Sequence, residues 1–260
     1  MATIITCNTN GIRAAARKGF FDWLAQQDAD VVCIQETKAQ EEQLQDPVFS
    51  PPGYHCFYND AQRKGYSGTA LYTRVKPRAV VTQLGWSSAD TEGRYLQADF
   101  DAVSVISLYM PSGSSSEAAL AKKLDFMERF YEHLRALRRM RREFIICADW
   151  NICHQPIDLK NWKANQKNSG FLPEERAWLD RVYNELGYCD AFRLVNQEPE
   201  QYTWWSNRGQ AWANNVGWRL DYHVITPGLQ PQVRAAEIYT AQRFSDHAPQ
   251  TMVYDLELHT

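Results

Sequence analysis

Six strand-like apolar runs in this chain end on, or lead straight into, side chains that can do chemistry. IITCN closes on Asn8, VVCIQE on Glu36, VISLY on Tyr109, and IICADWN on Asp149 and Asn151. RLDYHVI carries Asp221 at a strand start, and RFSDHAP carries Asp246 and His247. Side chains at strand ends can converge on one rim of a sheet, on rigid supports. Hard oxygen donors joined by an Asp and a His point to metal-assisted chemistry on phosphate.

Each residue also has a plainer reading. A Glu closing a buried strand is costly unless paired or metal-bound, yet Glu36 alone fits a surface strand end. Asn8 and Asn10 in NTNG suit a turn as well as a ligand site. Asp149 can orient or deprotonate a water while Asn151 donates to a phosphate oxygen; an Asx-turn at a strand exit has the same pattern. Tyr109 can reach a phosphate or close the edge of the core. A buried Asp–His pair built from Asp221 and His247 would raise the imidazole pKa and fix its tautomer. Arg13, Arg17 and Lys18 lie near NTNGIR. Lys160, Lys163 and Lys167 interleave with Asn161, Asn165 and Asn168, a mixture suited to phosphate and minor-groove contacts. Trp204 and Trp218 flank a polar stretch and can wall an extrahelical sugar lacking its base.

These residues need rigid elements behind them. Strands are expected at 3–7, 30–35, 54–58, 67–73, 78–84, 94–100, 103–109, 143–148, 201–205, 220–225, 233–239 and 249–257, bounded by Gly, Pro, Asn or Asp. YLQADF-DA-VSVISLY reads as a hairpin. Helices are expected at about 19–27, starting as early as Ala14, at about 116–140, and at about 173–187. Ser116 caps the second, and the arginines from Arg135 to Arg142 suit its negative end. The stretch 150–172 lacks a period and reads as a long functional loop. Many strands, few helices and no regular βαβ alternation predict one α/β domain over 1–260, a four-layer α/β/β/α sandwich of two mostly antiparallel sheets flanked by helices.

Composition narrows the classes. The chain is 44% hydrophobic, enough for a substantial core, and its net charge of −3 excludes a wholly basic nucleic-acid coat protein. It does not exclude a nucleic-acid enzyme, because metal-holding carboxylates lower the net charge. The six cysteines form no CxxC pair and point to thiols in a reducing cytoplasm. MATIITCNTNG is no signal peptide, and no run approaches the roughly 18 apolar residues of a membrane span, so no membrane partner is expected.

Longer motifs carry a resemblance. NTNGIRA, IQETK, GYSGTALYTR, LYMPSGS, IDLKNW, NSGFLPEER, TWWSNRG, NVGWRLDYHV and FSDHAP occur in this order over about residues 3–257. Together they resemble the exonuclease III family of apurinic/apyrimidinic endonucleases, within the endonuclease/exonuclease/phosphatase superfamily. The resemblance implies divalent-metal hydrolysis (Mg2+ or Mn2+) of the phosphodiester 5′ to an abasic site, with 3′-5′ exonuclease and 3′-end-cleaning activity. The implied partner is double-stranded DNA with abasic sites or blocked 3′ ends, acted on by a monomer. By position, Glu36 is the chief metal ligand, with Asn8, Asn10 and Asp246 near or through water. Asp149 positions or activates the attacking water, Asn151 holds the phosphate, and Tyr109 contacts phosphate or leaving group. Asp221 orients His247, which binds the scissile phosphate. Trp204, Trp218 and Leu220 form the sugar pocket; Arg13, Tyr66, Ser112, Asn165 and Asn168 contact the DNA backbone, joined by Lys160 of the basic loop. Position 10 is Asn where some relatives carry Asp. A similar group of bacterial regulators keeps the fold without catalytic residues, so the alternative is a weak or inactive nucleic-acid-binding regulator. The retained Asn8, Glu36, Asp149, Asn151, Asp221, Asp246 and His247 favour an enzyme.

Overall fold

The computed structural model describes residues 1–260. Its strands are β1 (Ala2–Asn8), β2 (Val31–Gln35), β3 (His55–Asn59), β4 (Thr69–Thr73), β5 (Ala79–Val81), β6 (Tyr95–Asp99) and β7 (Val103–Tyr109), followed by β8 (Glu143–Asp149), β9 (Cys189–Asp190), β10 (Trp204–Trp205), β11 (Gly217–Trp218), β12 (Asp221–Ile225), β13 (Val233–Ile238) and β14 (Gln250–Tyr254). The helices are α1 (Ile12–Arg17), α2 (Phe20–Leu24), α3 (Ser87–Asp90), α4 (Glu117–Leu137), α5 (Trp162–Asn165), α6 (Pro173–Asn184) and α7 (Ala191–Val195). One six-stranded sheet runs β13-β14-β1-β2-β4-β3, the other β5-β6-β7-β8-β12-β9, and β10-β11 is a separate pair.

Each large sheet holds one parallel pair, β1/β2 and β7/β8; the other pairs are antiparallel. A parallel pair needs a crossover. Here α1 and α2 supply one, and α4 the other. The fold therefore contains two βαβ units within a mainly antiparallel sandwich. The β6–β7 hairpin turns at Asp101-Ala102, with the Phe100 amide donating to the Val103 carbonyl at 2.9 Å.

Alternation along the strands sorts the side chains into layers. Odd residues of β7 and β8 (Val105, Ile145, Cys147) and even residues of β1 (Ala2, Ile4) fill the space between the sheets. The opposite faces pack on helices. Ile106, Ile146 and Val224 meet Phe126, Phe130 and Trp178 of α4 and α6, while Ile5, Val32 and Tyr72 meet Phe20, Phe21 and Leu24 around α2. Burial on both faces explains the near-continuous apolar runs.

Several boundaries differ from the sequence reading. The 19–27 helix is α2, Phe20–Leu24, and its earlier start near Ala14 is a separate helix, α1, because Gly19 takes a left-handed φ of 90° and Gln242 Nε2 donates to the Lys18 carbonyl at 2.7 Å. The second helix ends at Leu137 rather than 140, and the third at Asn184 rather than 187. The 67–73 strand loses its first two residues to positive φ at Ser67 and Gly68. The 201–205 strand shrinks to β10, and 249–257 to β14. The 150–172 stretch holds a 3-10 turn at Pro156–Asp158 and helix α5.

Candidate active site

Strand parity and register gather the candidate residues. Tyr109 pairs with Asp149, and Asp149 with Asp221, so three candidate side chains form one row across a sheet. Asn8 and Gln35 form the facing row on the other sheet. All of these lie at the same open end of the inter-sheet layer. Glu36 follows an inward-facing Gln35 and would turn outward in a regular strand. A left-handed φ of 56° returns its carboxylate to the rim, where Asn8 Nδ2 donates to Oε2 at 2.9 Å. Such a conformation costs a non-glycine residue about 1–3 kcal/mol, and such strain collects at functional sites. Asn151, at φ 52°, re-aims the chain after β8 in the same way.

The centre is a hydrogen-bonded lattice. Asn8 Nδ2 also donates to Asp149 Oδ2 at 2.8 Å, bridging the two sheets. The Asn10 amide nitrogen donates to Asp246 Oδ1 at 3.1 Å, and Lys38 Nζ donates to Asn10 Oδ1 at 2.6 Å while lying 3.1 Å from Glu36 Oε1. The Asn8 oxygen accepts from the Asn10 N–H at 2.8 Å. Both asparagines thus spend their oxygens inside the lattice and turn N–H groups to carboxylates, so they hold the acids in place.

His247 and Glu36 line the same cleft of about 550 Å3. The histidine is held from behind. Its Nδ1 lies 2.7 Å from Asp221 Oδ2, which also accepts the Thr203 hydroxyl at 2.7 Å. Its Nε2 lies 3.8 Å from Asp149 Oδ2, beyond hydrogen-bond reach. Burial opposes charge on the imidazole, but Asp221 and then Asp149 overcome it and raise the His247 pKa. Burial first, and then Asp221, also raise the Asp149 pKa, against the pull of His247 and Asn8. The site therefore sets an imidazolium beside a carboxylate of increased proton affinity. Burial, with Glu36 and Asp149, holds the Tyr109 phenol un-ionised.

The aromatic wall stands beside this centre. Trp204 and Trp218 face each other across the β10/β11 hairpin, ring centroids 6.2 Å apart and 82° between planes. Trp204 Nε1 donates to Asp246 Oδ2 at 3.1 Å, and Trp204 bridges to His247. Leu220 completes the floor. Gly170 has a φ of 102°, and a Cβ there would sit 2.9 Å from the Trp218 ring, so only glycine fits.

Ser112, Asn151 and Asn168 also line the cleft. Asn151 Nδ2 donates to the Met110 carbonyl at 2.8 Å, which leaves its second amide hydrogen for another acceptor. Tyr66 adjoins through Arg94, whose Nη2 donates to its hydroxyl at 2.9 Å. Three predicted contacts lie away from the lining. Arg13 is exposed on α1, Lys160 pairs with Glu200, and Asn165 accepts from Asn168 Nδ2 at 2.8 Å within their own loop. The sequence reading missed Lys38, Arg94, Lys123, Thr203 and Arg208. Arg94 is 3% exposed, lies 4.9 Å from the Tyr109 ring centroid and donates to the Tyr109 carbonyl at 3.1 Å. Of these, Lys38 (in IQETK, two residues after Glu36) and Thr203 and Arg208 (both in TWWSNRG) had a local signal, whereas Arg94 and Lys123 lie outside the quoted motifs.

Two places offer metal-ligand chemistry. Asp149, Asp221 and His247 present atoms within 4.8 Å of one another. A protonated imidazole has no lone pair to give, so that group suits a phosphate better than a cation. The carboxylates of Glu36 and Asp246, joined through Asn10 and Lys38, are hard oxygen donors of the kind Mg2+ takes in ones and twos.

The family model described as Endonuclease/Exonuclease/phosphatase family matches residues 5–247. The chain is 37% identical to an exodeoxyribonuclease of Bacillus subtilis, covering 97% of this chain and 99% of that one. It is 36% identical to the DNA repair nuclease APEX1 of Danio rerio, over 96% of this chain and 81% of that one. The structure of an AP endonuclease from Archaeoglobus fulgidus superposes with a TM-score of 0.90 at 27% identity, covering 98% of this chain and all of the other. With a family match over nearly its whole length, this chain belongs to the endonuclease/exonuclease/phosphatase family, as a nuclease of the exonuclease III type.

Proposed function

We propose that the chain cleaves the phosphodiester 5′ to abasic sites in double-stranded DNA and clears blocked 3′ ends, using Mg2+ or Mn2+. One observation carries this reading: Asp149 and His247, the latter backed by the buried Asp221, line one cleft with the Trp204–Trp218 wall. A phosphate at the first places the neighbouring sugar at the second. The wall suits a sugar without its base, and a small-molecule phosphatase would need no such wall.

Glu36 and Asp246 would hold the cation, with Asn8 and Asn10 orienting them. A bound divalent cation neutralises a phosphate oxygen and the leaving 3′ oxygen. Asp149 aims and deprotonates a water in line with that bond. The His247 imidazolium and the free Asn151 amide hydrogen stabilise charge on the non-bridging oxygens, and Tyr109 donates to phosphate or leaving group. Losing one such donor typically costs on the order of 10²–10³ in rate. Ser112, Asn168 and the basic Lys160 loop would meet flanking backbone, with Arg13 and Tyr66 at the rim. The cleft is complete within one chain, which supports a monomer. No helix is long and apolar enough to cross a membrane. All six cysteines are thiols, in keeping with a cytoplasmic setting.

The test is a labelled duplex with one abasic analogue, run beside an intact duplex and a 3′-phosphate-nicked duplex, with and without EDTA. Incision at the analogue that EDTA abolishes is the expected result. Metal-dependent hydrolysis with no preference for the abasic or nicked duplex would refute the assignment.

A further inference from the structure

Helices α4 and α6 carry opposite charges into the wall of the cleft. The buried stripe of α4 reads Lys123, Phe126, Met127, Phe130, Tyr131, Leu134, and that of α6 reads Glu175, Trp178, Leu179, Val182. In each helix, the first position of an otherwise apolar stripe is charged. The Lys123 side chain is 1% exposed and that of Glu175 is 0% exposed, and the two form an ion pair.

Packing does not explain this choice. Burying both charges carries a desolvation cost that an apolar pair of similar volume avoids. What an apolar pair lacks is hydrogen bonding to the cleft. Lys123 Nζ donates to the Asn151 carbonyl at 2.6 Å. Both Glu175 oxygens accept the Gly170 N–H at 2.9 Å. Gly170 presses on the Trp218 ring, and its carbonyl accepts the Cys153 N–H at 2.7 Å. The pair thus ties the chain leaving β8, on the phosphate side, to the loop behind the sugar wall.

We propose that Lys123 and Glu175 are positioning residues, which set the spacing between Asn151 and the Gly170–Trp218 wall and hence the fit of phosphate and abasic sugar together. The proposal rests on the cleavage reading above. A misplacement near 1 Å costs up to about 100-fold in rate.

The test is the double variant Lys123→Met/Glu175→Leu, which keeps volume and helix packing while removing both sets of hydrogen bonds. Tm, kcat and KM are measured on the abasic duplex, with exonuclease rate on an intact duplex. The expected result is a Tm close to the parent's, the relieved desolvation offsetting the two backbone groups left without partners, a kcat reduced about 10- to 100-fold, and a lower ratio of abasic cleavage to exonuclease rate. A kcat and ratio within about twofold of the parent, at equal Tm, would leave the pair a packing feature and overturn the proposal. If the double variant does not fold, Glu175→Gln decides on the same terms: it keeps the side-chain shape but lowers kcat several-fold if the ion pair sets the spacing, and leaves it unchanged if not. The parent is assayed alongside. A parent without abasic cleavage speaks against the substrate assignment, whereas a cleaving parent matched by its variant speaks against the pair.

Discussion

The layer between the sheets is equally dry at its two ends and chemically opposite. Away from the cleft it holds Ala2, Ile4, Val31, Val105, Ile145 and Met252; toward the cleft it holds Thr6, Gln35, Ser107, Asp221, His223 and Gln250, and every one of these is 0–1% exposed. The far end is held by buried area and close packing. The near end is held by directed bonds: Gln35 Nε2 donates to Ser107 Oγ at 3.1 Å, and Gln250 Nε2 to the Asp221 carbonyl at 3.1 Å. Within the layer, the polar atoms without a partner, Asp221 Oδ1, His223 Nε2 and Gln250 Oε1, all lie toward the cleft. Stability is thus concentrated at one end and orientation at the other. The near end carries electrostatic conflict that a structure selected only for stability would avoid.

That contrast can be broken from either side. Asp149→Asn keeps the shape and removes one of two crowded buried carboxylates. Because the folded protein raises the Asp149 pKa, keeping this base ionised opposes folding, and losing the charge relieves the fold. Turnover on abasic DNA should fall by about 10²- to 10⁴-fold while Tm holds or rises. A variant that loses Tm along with activity would place Asp149 among the groups that stabilise the fold. Ile145→Ala sits four residues earlier on the same strand and same face. It should cost about 2–5 kcal/mol in denaturant unfolding. Turnover should stay near the parental rate at a temperature where the variant is folded. A loss of turnover beyond a few-fold in folded Ile145→Ala would show that the two ends are mechanically coupled.

The same contrast explains what could be read beforehand. The site residues on strand ends were legible because alternation and strand termination are local, and Asn8, Tyr109, Asp149 and Asp221 needed only parity to share a rim. Glu36 was legible by type, although parity alone points it the wrong way; its left-handed backbone is visible only in the fold. The groups that hold the site were not legible. Glu175 in PEER reads as a helix-start acid, and Lys123 as a solvated helix face, until the chain brings them together across 52 positions. Arg94 lies outside every quoted motif, and Thr203, although it opens TWWSNRG, shows its role only through its hydrogen bond to Asp221. Strands β9 and β11, two residues each, have no periodicity to detect, and they exist because β12 and β10 offer them an edge.

The smallest expected effect tests the polar end without touching the reacting groups. His223 is fully buried between the sheets, its Nδ1 2.8 Å from the Tyr254 hydroxyl, and burial lowers its pKa to about 3. In the unfolded chain it would titrate near 6.5. A histidine with a depressed folded pKa is neutral in the native state, so its contribution is fully present above about pH 6.5 and is lost as pH falls toward the folded value. Each pH unit below about 6.5 should cost about 1.4 kcal/mol, or about 2 kcal/mol by pH 5. His133, lowered to about 4 by burial, acts in the same direction, so the informative quantity is the difference between the parent and His223→Gln. Glutamine fills a similar space and has no proton to gain. Urea unfolding from pH 7.5 to 5 should show the parent losing stability faster than the variant, with the two curves parallel above pH 7. Equal slopes throughout would mean that His223 accepts a proton inside the fold. The polar end of the layer would then tolerate charge as well as hydrogen bonds.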